Sequence, residues 1–180
     1  MKRKLIIIIV AAAVCVIAFC VLFLTGVIKF DKAEVKQDKS QAVAYVHYLD
    51  AHMLVGRDYQ VYGSEVEAPS QLPEIAGVFF DNVVVGKKLA LSNEPLAAYA
   101  MRIVESLRKN SISVDQVFVS ESLDATLFVG NVKILLGKEA NTEEKIHDLR
   151  DFFDEVKDLS GTLNMQELSK NNLGYSFKTN

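Results

Sequence analysis

The chain of 180 residues has no tryptophan, only three prolines and three histidines, and only two cysteines. Each scarcity removes a class of chemistry. Cys15 and Cys20 both stand inside one apolar run near the amino terminus, so everything beyond residue 28 is free of thiol and depends on no disulfide, cysteine nucleophile or cysteine-bound zinc. Neither cysteine suits a lipoprotein acceptor, because Val14 and Phe19 occupy the preceding position where a small residue is needed. The histidines are His47, His52 and His147; no cysteine or second histidine lies at zinc spacing from any of them, so they read as surface residues and no metal or cofactor is expected. Also missing are the G-x-S-x-G, Walker-type, H-E-x-x-H and G-x-G-x-x-G patterns. The expectation is a chain that is not an enzyme and has no small-molecule substrate.

What is present begins with Leu5–Ile28, where 24 consecutive residues carry no charge. At about 1.5 Å per residue such a run as a helix measures roughly 36 Å, against a hydrocarbon core of about 30 Å. It predicts a single transmembrane helix. A cleaved signal peptide fits less well, because the run exceeds an ordinary h-region and no small-x-small site follows it before Lys29. Lys2, Arg3 and Lys4 precede the run, while Lys29, Asp31 and Lys32 nearly balance after it, so residues 1–4 are expected in the cytoplasm and the rest outside. With those three basic residues set aside, the remainder of the 20 basic and 23 acidic residues leaves a formal charge near −6, which argues against nucleic acid as a partner.

Residues 29–41 are dominated by lysine, aspartate, glutamate and glutamine and read as a polar stalk. The folded domain is expected over 42–180. Ala42 to Leu49 and Met53 to Tyr59 look like two short strands joined by a turn at 50–52; Pro69, Pro73 and Gly77 punctuate a loop, followed by extended 78–80 and a turn or strand at 83–85. Glu94 to Lys109 has Leu96, Tyr99, Ala100, Ile103, Val104 and Leu107 at helical spacing, with Asn93 or Ser92 as cap and Pro95 in the first turn. Three strands follow at 114–120, 125–129 and 132–136, the last two joined by Gly130-Asn131, a strong hairpin signal. A second helix is predicted from Thr142 to Leu159, capped by Asn141 and stopped by Gly161, with Ile146, Leu149, Phe152, Phe153, Val156 and Leu159 as its buried stripe. The acidic residues Asp148, Asp151, Asp154, Glu155 and Asp158 fall off that stripe and read as a solvated face. A closing hairpin joins 162–168 to 173–178. The predicted class is α+β: one amino-terminal transmembrane helix, then a mostly antiparallel curved sheet with two packed α-helices.

Short segments of this sequence resemble the bacterial cell-division family FtsQ, called DivIB in Gram-positive bacteria. They are YLDAHMLVG, LPEIAG, VKILLGKEANTEEKIHDLRDFF and GTLNMQEL followed by GYSF, in that order along the chain. Each is weak alone; their order after a short basic tail and one apolar run is more specific. The family usually places a POTRA domain between its anchor and its β domain, and here only the short stalk occupies that place, which puts POTRA-dependent roles in doubt. The resemblance implies a non-catalytic divisome scaffold at the septum, binding the small membrane proteins FtsB (DivIC) and FtsL. In that family a partner adds a strand to the edge of the final β-strand, which matches Gly174, Tyr175, Ser176, Phe177 and Lys178 here. The alternative is a membrane-tethered sensor or an accessory factor of a cell-wall enzyme.

Overall fold

The computed structural model describes residues 38–166 and 174–179. The expected membrane run, the basic tail and most of the stalk lie outside them, as does the middle of the closing hairpin. Nine strands and two α-helices make up the described domain: β1 Ala42–Tyr48, β2 Ala51–Gly56, β3 Val61–Glu65, β4 Glu74–Ala76, α1 Glu94–Lys109, β5 Gln116–Val119, β6 Ala125–Val129, β7 Asn131–Gly137, α2 Thr142–Val156, β8 Ser160–Asn164 and β9 Ser176–Thr179. All nine strands form one sheet in the order β3-β2-β1-β4-β5-β6-β7-β8-β9.

Two parts of the expected class are corrected. The sheet is mixed: five of its eight pairings are antiparallel, as expected, but β1 with β4, β4 with β5, and β7 with β8 run parallel. For the last two pairs the reason lies in the helices. Each bridges two strands that are adjacent in the sheet, β4 to β5 through α1 and β7 to β8 through α2, and a helical crossover returns the chain in the same direction where a hairpin reverses it. Both crossovers step the same way across the sheet between strands of one orientation, so their common handedness puts both helices on one face. Secondly, among the described residues no helix is long and apolar enough to cross a membrane; the span expected at Leu5–Ile28 falls on residues that are not described.

One continuous core joins the helices to the sheet. Leu96, Tyr99, Ile103 and Leu107 of α1 and Ile146, Leu149 and Phe153 of α2 pack with Val117, Val119, Leu127, Ile134, Leu136 and Leu163. On the other face a smaller cluster, Ala42, Tyr45 and Leu54 with Leu72, covers the β1–β2 end. The α1 boundaries and its Asn93 cap are as the periodicity predicts, with the Leu96 N–H donating to Asn93 Oδ1 at 3.2 Å. The start of α2 differs. Asn141 sits in left-handed backbone at φ 61° and makes no side-chain cap; instead the Thr142 hydroxyl donates to the Glu139 carbonyl at 2.9 Å and meets the Tyr99 hydroxyl at 2.9 Å. The helix also stops at Val156, leaving Leu159 exposed and Gly161 inside β8, because the chain must drop directly into register beside β7. Strand β3 was not predicted: Val61–Glu65 carries Gly63 and polar ends, and becomes a strand only by pairing with β2.

Candidate functional site

The residues matched to the family's partner edge fall at one end of the sheet. β9 is the last strand in the order, paired antiparallel with β8, so its far side has no neighbouring strand among the described residues. Ser176, Phe177 and Lys178 lie in the strand; Gly174 and Tyr175 immediately precede it.

Which backbone groups face outward follows from alternation. The Met165 N–H donates to the Leu135 carbonyl of β7 at 2.9 Å, so Leu163 and Gly161, two and four residues earlier, also face β7. Thr162 and Asn164 then face β9, and their partners Lys178 and Ser176 face back. The Lys178 carbonyl agrees, since it would collide with a Cβ placed on Gly161. The outward N–H and C=O groups therefore belong to Phe177 and Thr179. Ser176 turns its N–H toward β8.

Side chains divide by the same alternation. Tyr175 and Phe177 are half-buried against the core, whereas Ser176 and Lys178 are exposed. The Tyr175 hydroxyl donates to Asp148 Oδ2 at 2.6 Å, and its ring lies 5.9 Å from that of Phe152. Burial pushes the Tyr175 hydroxyl well above its ordinary range, reinforced by the hydrogen bond to Asp148 and the charges of Asp148 and Glu144. So α2 steadies the edge strand, and one member of the acidic face, Asp148, is partly buried and engaged, not simply solvated.

A second fastening was missed in the sequence. Lys145 is buried and its Nζ donates to the Leu136 carbonyl at 2.6 Å and the Gln166 carbonyl at 3.1 Å. It ties α2 to the ends of β7 and of the segment after β8, and desolvation lowers its pKa. The signal was legible: Lys145 lies on the stripe with Ile146 and Leu149, where a charge has no business unless it is partnered.

Elsewhere a recess of about 430 Å³ is lined by Tyr99, Arg102, Glu139, Asn141, Thr142, Glu143 and Glu144. Arg102 is already paired with Glu139, and the Tyr99 hydroxyl is engaged with Thr142, so the recess offers no poised nucleophile and base. Among the described residues no group of three or more His, Cys, Asp or Glu is placed to hold a metal ion. His147 Nδ1 lies 3.4 Å from Asn110 Oδ1. His47 and His52, by contrast, face one another across β1 and β2; the sequence placed His52 in the turn, but the turn is only Leu49-Asp50 and β2 starts at Ala51. No protein-family model matches the chain, and no curated protein matches it.

Proposed function

We propose that the chain is a non-catalytic scaffold of bacterial septum formation, held at the membrane by its uncharged amino-terminal run, whose extracytoplasmic domain receives an extended strand from FtsB/DivIC-like and FtsL-like division proteins. The observation that carries the reading is the edge of β9, with the backbone of Phe177 and Thr179 turned away from the sheet. An edge of this kind supplies affinity through main-chain hydrogen bonds and is the basis of strand addition. The resemblance of GTLNMQEL and GYSF to the family's closing hairpin supplies the identity of the partner.

The test is calorimetry of the full chain in nanodiscs against a purified FtsB/DivIC-type protein of the same organism. Thr179→Pro deletes an outward donor and keeps the ladder to β8, so binding should weaken about tenfold with circular dichroism unchanged. Ser176→Pro deletes a bond to β8 and should loosen the strand itself. Undiminished binding after removal of residues 174–180 would rule the edge out as the partner site.

A further inference from the structure

The β1–β2 hairpin creates a juxtaposition that lies far from β9 and that the scaffold reading does not use. Its two-residue turn makes His47 and His52 a directly opposed cross-strand pair. Their ring centroids stand 5.4 Å apart with planes inclined at 56°. By alternation both project on the face that carries Tyr45 and Leu54, away from the helices. His52 is not free to wander: Tyr45, itself buried, meets it edge-on at 5.1 Å and 79°.

The hydrogen-bonding inventory is unusual. His52 Nδ1 is buried without a partner, the sole such side-chain atom among the described residues. Its Nε2 is not among the buried orphans and takes part in no hydrogen bond between described residues, and neither does the ring of His47, an exposed residue. One imidazole is thus fixed by packing with its second nitrogen open, and the other stands opposite, able to turn toward it.

We propose that His47 and His52 form a two-imidazole binding site for a late first-row divalent cation of the Zn²⁺ or Cu²⁺ kind. Imidazole nitrogen is a preferred ligand of these ions, with metal–nitrogen bonds of about 2.0–2.1 Å. Two rings sharing one ion at a near-tetrahedral angle have centroids roughly 5 Å apart once the distance from nitrogen to ring centre is added, which the observed 5.4 Å already approaches. Little reorganisation is needed, since one ring is held and the other needs only a rotation. The carboxylate nearest in register is Glu65, opposite His52 on β3, but it is paired with Lys39 at 3.4 Å. Water therefore completes the shell, and the ion clips β1 to β2 while keeping open positions for an outside ligand. Two protein ligands give a modest affinity, in roughly the micromolar range.

The experiment is titration of the full chain in detergent micelles with Cu²⁺, read by electron paramagnetic resonance, followed by competition with Zn²⁺. One copper per chain should bind with the splitting of two coordinated nitrogens, and Zn²⁺ in large excess should displace it, since such sites hold Cu²⁺ the more tightly. His47→Gln and His52→Gln should each weaken binding about tenfold or more, while His147→Gln leaves it unchanged. His47 is exposed, so the His47→Gln variant keeps its fold, and circular dichroism checks both variants. No copper bound below about 100 µM, equal binding by the His47/His52 double variant, or a nitrogen signal that disappears with His147 would each overturn the proposal.

Discussion

The two ends of the sheet are finished differently. At β3 the chain covers the start of its own edge: the Val61 N–H donates to the Lys87 carbonyl at 2.9 Å and the Gly86 N–H donates to the Val61 carbonyl at 2.8 Å. The side chain of Lys39 lies across Gly63. At β9, Phe177 and Thr179 present the same kind of backbone group with no covering strand among the described residues. An open strand edge invites pairing with another chain, and proteins commonly blunt those they do not use. The contrast singles out β9, because the same domain pins the start of one edge with a loop and reinforces the other from behind, through Tyr175, with Asp148 and Phe152.

The largest test removes that reinforcement. Phe153 is buried in α2 within the common core, and Phe153→Ala should cost about 3–5 kcal/mol, measured by urea denaturation. A loss under about 1 kcal/mol would mean that α2 does not support this end of the sheet. A more local cut is Gly161→Ala, where the added methyl meets the Lys178 carbonyl and stands 3.0 Å from the Phe177 ring. The backbone cannot yield cheaply, so about 1–3 kcal/mol is expected. Amide exchange should quicken in β9 and stay unchanged in β3; equal quickening at both edges would show the damage to be global.

How far the sequence foretold this arrangement differs by element. The boundaries of α1 and the β6–β7 hairpin were legible because an apolar stripe, a cap and a two-residue turn agree with one another over short range. The parallel pairings were not, because they depend on which strands the crossovers bring together, a relation between segments far apart in sequence. At the candidate edge, position was legible from GYSF, but the outward backbone of Phe177 and Thr179 depends on the register with β8, and a one-residue slip would reverse it. The facing histidines were hidden by a turn one residue shorter than the composition suggested.

A smaller change tests the closed edge. Gly86 is held at φ 88°, where an L side chain is strained, while its N–H fastens the loop to Val61. Gly86→Ala should therefore cost about 1–2 kcal/mol and raise exchange at the Val61 amide without touching β9. If partner binding falls as well, the two ends are not independent and the contrast between them is weaker than drawn.

The smallest effect concerns Tyr175, whose hydroxyl joins the open end to Asp148 at 2.6 Å. Tyr175→Phe keeps the ring against Phe152 and deletes the hydrogen bond, so about 1 kcal/mol should be lost at neutral pH, the bond being partly exposed to water. Alkali separates this bond from simple packing. Because the folded-state pKa of Tyr175 is raised above the ordinary value of 10.0, the folded chain holds its proton where the unfolded chain has released it. The resulting stability is fully present below the unfolded pKa and is lost as pH rises through the folded one. Tyr45, Tyr59 and Tyr99 are raised as well, chiefly by burial, so the whole domain should lose stability above pH 10. Lys145 works against them: its pKa is lowered from 10.5, and the penalty of burying its charge is relieved as pH rises. Four raised phenols against one lowered amine leave the net slope downward. Tyr175→Phe should make that slope shallower, measured as urea midpoints from pH 8 to 11, and an unchanged slope would mean that Asp148 and Tyr175 do not hold the edge strand together in solution.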